Sequence, residues 1–288
     1  MLVVATANDI YKLPPSLLRF ERFDKVIEIR SPNAEDAYLL IKAVFKEKQI
    51  NFSEEELREL VAVLPEVTCA KIKDIILSAH AEAVYKGKEL IFNDLIKEVI
   101  KERYPKASPI NNLTDEERMK IAVHEAGHVV AAELINKNSV GIVSVLTKNN
   151  LSDALGITVH KNNRKTIKNK KCLEDEIKVL LGGKVAYELV YGETDSGAYG
   201  DIHDVRILLL RILDLLTHNP MLVKKVKSDC SENLNEEAEI ILNYEYGRFY
   251  QETKELLFNK LDLIKAVAEE LYNKTILNAI DLKKILNF

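Results

Sequence analysis

The segment that begins at Thr114 constrains the fold most, because it predicts a long helix with reactive side chains at its centre. Thr114 and Glu117 have the spacing of a capping box, which predicts a helix over about 115–136. The middle of this helix reads HEAGH, with His124 and His128 four positions apart. Two imidazoles at that spacing share one helix face and can bind a single metal ion.

Glu125 gives this pair of histidines a possible chemistry. It follows His124 and projects about 100° around the helix, so its carboxylate would lie beside a metal rather than on it. There it could take a proton from an activated water and pass it to a leaving amine. The alternative is a pair of ordinary core histidines. We favour zinc, because the motif lies within a capped helix and the intervening Ala126 and Gly127 would let another chain approach closely.

A catalytic zinc site needs a third protein ligand and an open position. Asp201 is a candidate because it starts the predicted helix 201–217, directly after the glycine-bearing loop 192–200. The neighbouring His203 and Asp204 are alternatives, and Asp201 could simply be a carboxylate favoured at a helix N-terminus. The residues alone leave the third ligand open. Three isolated histidines are more simply explained as exposed or singly hydrogen-bonded: His80, His160 and His218.

The remaining patterns predict a mainly α fold with small β-sheets, that is, an α+β class. The predicted helices cover 33–48, 53–63, 69–86, 92–102, 173–191, 236–273 and 280–287, besides the two already described. The predicted strands cover 2–6, 25–30, 139–146 and 154–160. Pro105 and Pro109 indicate a linker, so the chain divides into 1–33, 34–103, 104–113 and 114–288. Gly182 and Gly183 lie within a predicted helix and indicate a close packing contact there.

Composition narrows the function classes. The formal net charge is −4, and the basic run 161–171 has no aromatic residue to stack on a base, so we expect a solvated loop and no nucleic-acid partner. Three widely spaced cysteines favour reduced thiols over a disulfide framework. The most apolar stretch, 207–216, is short and contains Arg211 and Asp214, so no membrane span is predicted.

Several stretches, taken in order, carry a family resemblance. Near the start, VVATANDIYKLPPSLLRFERFDKVIEI is similar to the second region of homology of an AAA+ ATPase, and 35–102 is similar to an AAA+ lid. HEAGH, ALGITVH, LLGGKVAYELVYG and SGAYGDI follow, and then the closing stretch NKLDLIKAVAEELYNKTILNAIDLKKIL. Together they resemble the C-terminal portion of the FtsH family, the membrane-anchored AAA+ zinc metalloproteases.

The resemblance implies a fold and a metal site. Residues 1–33 would be the end of an AAA+ core, 34–103 its helical lid, and 114–288 a predominantly helical, zincin-like peptidase domain. It implies Zn²⁺ held by three ligands, with Glu125 as the catalytic base; the ligands would be His124, His128 and Asp201. Glu188 is a possible carboxylate behind these ligands, although Tyr187 stands where the family often has another glutamate.

The resemblance also assigns residues to ATP hydrolysis. Asn8 matches the residue that places the attacking water, and Arg19 and Arg22 match arginine fingers that reach a neighbouring subunit's nucleotide. The sequence contains no G-x-x-x-x-G-K-[ST] motif. ATP and Mg²⁺ are therefore expected only with a complete AAA+ module, and this chain is not expected to hydrolyse ATP alone.

The implied partners are unfolded or membrane-extracted polypeptides, in a hexamer of this chain or with FtsH-like subunits. The intact family is membrane-associated through a segment that this sequence lacks, and the reduced thiols favour a peptidase domain in a reducing compartment. The apolar opening at residue 2 favours a fragment of something longer. The main alternative is a catalytically inactive assembly subunit, against which the complete set of HEAGH and Asp201 argues.

Overall fold

The structure is a computed structural model, and it describes residues 3–19, 22–23, 25–105, 107–109, 113–145, 147–149, 156–162, 168–194, 197–216 and 232–287. Helices dominate this described part, and small antiparallel sheets accompany them. The predicted class, mainly α with small β-sheets, is confirmed. None of the helices in these ranges combines the length and the apolar character that a bilayer span requires.

The first four helices share one core and are called the helical module below. Their bounds lie within two residues of the predicted ones: α1 (Ala34–Lys48), α2 (Glu54–Val63), α3 (Cys69–Tyr85) and α4 (Phe92–Arg103). Three of them begin at side-chain caps. Asn33 and Thr68 each accept a hydrogen bond from a first-turn amide, and Ser53 forms a full capping box with Glu56. These caps explain why the local sequence predicted the helix starts so closely.

The segment before this module differs from its prediction. Residues 3–6 and 25–30 belong to no strand, so the strands predicted there are wrong; Leu2 lies outside the described residues. Val4, Ile27 and Ile29 are 79%, 75% and 92% exposed. A strand needs a hydrogen-bonded neighbour to satisfy its backbone groups, and no described segment pairs with these residues in a sheet. Both segments have the apolar pattern of a strand, but the described residues supply no partner strand for them.

The later helices build the larger part of the molecule: α5 (Asp115–Ile135), α6 (Lys170–Tyr191), α7 (Tyr199–Leu216), α8 (Glu232–Phe258), α9 (Leu261–Lys274) and α10 (Ala279–Leu286). The capping box of Thr114 and Glu117 starts α5 as predicted. The single helix expected over 236–273 is instead two helices, because the chain turns after Phe258. Apolar side chains of α5 and α9 form one core, and those of α6, α7 and α8 form another.

Two antiparallel sheets accompany these helices. The strands of the small one are β1 (Ala107–Pro109) and β3 (Thr147–Asn149), and those of the larger one are β2 (Val140–Ser144), β4 (Ile157–His160) and β5 (Ile276–Asn278). The larger sheet has the order β4-β2-β5, so β4 is an edge strand. The strands predicted over 139–146 and 154–160 are confirmed in shorter form, although residues 146 and 154–155 lie outside the described ranges. Strands β1, β3 and β5 were not predicted.

The three-stranded sheet lies between the helical module and the later helices. Ile142, Ile157 and Val159 contribute to the core of α1–α4, whereas Val140 and Val143 contribute to the core of α5 and α9. A buried ion pair joins the layers just beyond β4, where the Lys161 ammonium lies 2.6 Å from the Glu59 carboxylate of α2. Strand β4 is therefore fixed from the side of the helical module.

Candidate metal centre

The buried centre of α5 brings the two HEAGH histidines together. His124 and His128 lie one helical turn apart and are 9% and 7% exposed. Their Nε2 atoms are 3.0 Å from each other. The imidazoles therefore point at one place inside the molecule, as the four-residue spacing predicted.

Asp201 completes the group from the first turn of α7. Its Oδ2 lies 3.0 Å from the Nε2 of His124 and 3.3 Å from that of His128. Burial by itself would raise the pKa of Asp201, but the neighbouring histidines outweigh burial and hold this pKa below its usual range. Asp201 is therefore an ionised carboxylate, which is the form that binds a metal.

The spacing of these three donor atoms fits a metal ion. A tetrahedral site with Zn–N bonds of about 2.0–2.1 Å places neighbouring donors about 3.3 Å apart. The three separations here, 3.0, 3.0 and 3.3 Å, come close to that value. Two imidazoles and one carboxylate, with a fourth position open, are a donor set typical of catalytic zinc.

Two residues of α6, Val179 and Gly183, lie against the histidines. The Nδ1 of His128 lies 2.8 Å from the backbone carbonyl oxygen of Val179, so Nδ1–H donates and Nε2 is left with its lone pair. Gly183 leaves the space in front of the rings empty. A Cβ at Gly183 would lie 2.5 Å from Nε2 of His128 and 2.6 Å from Nε2 of His124.

Burial tends to lower the pKa of His128, but the charge of Asp201 outweighs it and raises this pKa.

The other glycine of the pair brings α6 close to α5. A Cβ at Gly127 would lie 2.3 Å from the carbonyl oxygen of Gly182, and one at Gly182 would lie 2.7 Å from the carbonyl oxygen of Gly127. The two helix backbones thus meet at glycines. The close packing contact predicted from Gly182 and Gly183 is confirmed, and both helices therefore border the candidate metal centre.

Glu125 lies on the adjacent side of α5, against the edge strand β4. It is 5% exposed, and the Thr158 hydroxyl donates a 2.7 Å hydrogen bond to its Oε2. The residue before β4, Gly156, makes room for the same carboxylate. These groups open on a cavity of about 500 Å³, within the range of small-molecule and peptide sites. Its lining includes both histidines, Asp201, Glu125 and Thr158.

The alternatives to Asp201 occupy different places. His203 and Asp204 are both exposed, and Asp204 lies at the cavity wall. Glu188 contacts the Tyr250 hydroxyl and, at 3.0 Å, the Lys254 ammonium of α8. The role of Glu188 behind the metal ligands therefore stays a prediction.

The remaining predicted residues fall elsewhere in the molecule. Asn8, Arg19 and Arg22 are exposed in the N-terminal segment, and Arg22 donates to the carbonyl oxygen of Ser16 at 2.9 Å. His160, for which the residues alone favoured an exposed or singly hydrogen-bonded side chain, lines the cavity. His218 and the middle of the basic run, 163–167, lie outside the described residues.

Sequence reasoning missed the contributions of Thr158 and Val179, and it predicted a packing contact at Gly183 but not its position beside the histidines. Thr158 had a signal, since it is a polar residue between the apolar Ile157 and Val159 of the predicted strand. The Val179 carbonyl had none, because any residue type could supply that backbone group.

Comparison with known proteins assigns this arrangement to a family. Residues 111–285, more than half of the chain, match the profile of peptidase family M41. The chain belongs to peptidase family M41. The matched range contains every residue of the candidate metal centre, from His124 to Asp201. The family resemblance inferred from HEAGH, ALGITVH and SGAYGDI is thus confirmed.

Curated M41 relatives extend the match beyond the peptidase domain. The ATP-dependent zinc metalloprotease FtsH of Methylococcus capsulatus is 26% identical over 99% of this chain. Its namesake in Rhodothermus marinus is 27% identical over 99% of the chain, and that in Aquifex aeolicus is 30% identical over 75%. The chain spans less than half of these relatives, at 47%, 43% and 34% of their lengths. It corresponds to a C-terminal portion of such proteins.

Proposed function

We propose that this chain is the peptidase portion of an ATP-dependent zinc metalloprotease and hydrolyses internal peptide bonds. One observation carries the proposal: three donor atoms of His124, His128 and Asp201 lie within 3.3 Å of one another, beside the buried carboxylate of Glu125. The M41 family match over 111–285 supports the same reaction class.

Each residue then has a definite task. His124, His128 and Asp201 would hold zinc, with His128 oriented by the Val179 carbonyl. Zinc bound there supplies Lewis-acid polarisation of the scissile carbonyl and lowers the pKa of a water to about 7. Glu125 takes the proton of the attacking water and delivers it to the leaving amine.

We further propose that an extended polypeptide lies along the outer edge of β4. Within the described residues this strand pairs only with β2, and the cavity lining includes its residues Thr158 and His160 and the preceding Gly156. A peptide in extended form could add its backbone to that edge by β-augmentation. Because only an unpaired, extended segment can bind in this way, the substrates would be unfolded or membrane-extracted polypeptides.

In this proposal, peptide-bond cleavage is coupled to ATP hydrolysis by the whole assembly. Asn8, Arg19 and Arg22 are exposed, so they can reach a nucleotide on a neighbouring subunit. The assembly would be a hexamer of this chain or a mixed hexamer with FtsH-like subunits. ATP and Mg²⁺ would bind where a complete AAA+ module is present, and membrane attachment would come from a segment outside this sequence.

The experiment combines zinc content with cleavage of casein and of an internally quenched peptide. Glu125→Gln should keep one zinc per chain and reduce cleavage by at least about 1000-fold, because the base is lost while the ligands stay. Glu269→Gln is the matched control, since it makes the same charge change at an exposed position of α9. That control should leave both quantities unchanged.

The outcomes separate the peptidase from its alternative. If the Glu125→Gln variant cleaves as fast as the wild-type chain, Glu125 is not the base. If the wild-type chain binds zinc but cleaves neither substrate, alone or mixed with an FtsH-like ring, the inactive assembly subunit is the better description.

A further inference from the structure

We propose that Thr158 is a positioning residue that holds the carboxylate of Glu125 in its working orientation. The inference rests on the proposed function, in which Glu125 is the base. Thr158 Oγ1 donates to Glu125 Oε2 at 2.7 Å, across 33 positions of the chain.

Glu125 needs such an anchor for two reasons. A carboxyl group that is only 5% exposed is costly to bury unless hydrogen bonds replace its lost hydration. A glutamate also has three rotatable side-chain bonds, and a base displaced by about 1 Å loses much of its effect. A short bond from a hydroxyl to a carboxylate meets both needs.

The fold holds the Thr158 hydroxyl in place. The backbone of Thr158 pairs with Val143 of β2, and its neighbours Ile157 and Val159 are buried in the core of the helical module. Because side chains alternate along a strand, burying those two neighbours turns Thr158 towards α5. The hydroxyl therefore sits on a strand fixed from the opposite side.

The residue just before the same strand makes room for the other oxygen of the carboxylate, Oε1. A Cβ at Gly156 would lie 2.4 Å from Glu125 Oε1 and 2.5 Å from its Cγ. The missing side chain at Gly156 therefore lets the carboxylate rest against the chain just before β4. Thr158 and Gly156 together define where the base lies, and Thr158 supplies the hydrogen bond.

The experiment compares Thr158→Val, which keeps the shape but removes the hydroxyl, with Thr158→Ser, which keeps the hydroxyl. We expect Thr158→Val to lower kcat for the quenched peptide about tenfold, with KM within about twofold. Thr158→Ser should recover kcat to within about threefold of wild type. Zinc content should stay at one per chain in both variants.

Thr253→Val is the matched control. Thr253 is also buried, and its hydroxyl donates to the Phe249 carbonyl within α8, away from the cavity. This control measures how much the loss of a buried threonine hydroxyl changes kcat by itself. Glu125→Gln with Thr158→Val added should be no slower than Glu125→Gln alone, because the hydroxyl acts through the base.

A structural measurement keeps the proposal testable apart from cleavage. Crystal structures of the zinc-bound wild type and of Thr158→Val should show the Glu125 carboxylate ordered in the first and displaced in the second. An unmoved carboxylate in Thr158→Val overturns the proposal even if the chain cleaves nothing. An equal loss of kcat in the Val and Ser variants also overturns it. Unchanged cleavage in Glu125→Gln would instead overturn the proposed function.

Discussion

The N-terminal segment and the peptidase domain both carry family resemblances, yet their side chains are packed differently. In the peptidase domain, three side chains from α5 and α7 meet within 3.3 Å. In residues 3–6 and 25–30, apolar side chains such as Val4, Ile27 and Ile29 are exposed, and these residues form no strand. The domain supplies its own packing partners, whereas the segment would need surfaces from outside the described residues.

This contrast teaches what a motif can and cannot do locally. HEAGH works through a helix, and the capped α5 brings its histidines together without distant help. Asn8, Arg19 and Arg22 would act on a neighbouring subunit, so their spacing alone leaves them on the surface. We therefore expect substitutions in the two regions of this chain to differ greatly in effect.

The largest effect should follow loss of Asp201, the third ligand in our proposal. Asp201→Ala should weaken zinc binding by about 100-fold or more, since two imidazoles alone hold zinc poorly. Zinc retention against a chelator, measured by mass spectrometry of the metal, checks this. The matched controls are His203→Ala and Asp204→Asn on the same helix turn, because both residues are exposed. Loss of zinc in Asp204→Asn with retention in Asp201→Ala would reverse the assignment.

Filling the space in front of the histidines should come next. Gly183→Ala places a methyl group 2.5 Å from His128 Nε2, so we expect at least a tenfold loss of zinc affinity. We also expect about 2 kcal/mol less free energy of unfolding, because the crowded rings must shift. Urea unfolding and zinc titration measure the two quantities.

Gly247→Ala is the control for that substitution. Gly247 lies within α8 with open space around it, so alanine should stabilise the helix by about 0.5–1 kcal/mol. If both alanine variants behaved alike, the geometry in front of the histidines would not be what makes Gly183 necessary.

We expect substitutions in the helical module to lower the free energy of unfolding, as in the peptidase domain. Lys161→Met removes one member of the buried pair with Glu59, whose side chains are 5% and 11% exposed. We expect about 1–2 kcal/mol less free energy of unfolding, a reduced value because Lys283 also contacts Glu59 at 3.0 Å.

The surface pair of Arg206 and Glu239 provides the contrast for Lys161. Both side chains are nearly half exposed, so Arg206→Met should cost less than about 1 kcal/mol. Equal losses in the two variants would mean that the Glu59 pair does not fix the module to the sheet. A double-mutant cycle with Glu59→Gln isolates the pairwise part.

These expectations also show how far the sequence predicts this molecule. The helices of the module and α5 were predictable, because capping residues and apolar spacing act over a few positions. The pair of His124 and His128 followed from the same local geometry. Asp201 was one of three open choices until the resemblance selected it, since its approach to the histidines depends on how α7 packs against α6.

What escaped prediction depends on contacts between distant parts of the chain. Thr158 meets Glu125 across 33 positions, and β5 pairs with β2 only once α9 has brought the chain back to the sheet. The strands predicted at 2–6 and 25–30 failed for a related reason. An alternating pattern permits a strand, but a neighbouring strand is needed to form one.

The smallest effect should follow changes in the N-terminal segment. Deleting residues 1–30, or replacing Arg19 and Arg22 by alanine, should leave zinc content unchanged and alter the free energy of unfolding by less than about 1 kcal/mol. The hydrogen bonds of these residues are local, as between Arg22 and Ser16, and their side chains are mostly exposed. Urea unfolding and zinc content of the isolated chain measure this. A loss comparable to that of Gly183→Ala would mean that the segment packs on the domain after all, and the contrast between the two regions would fail.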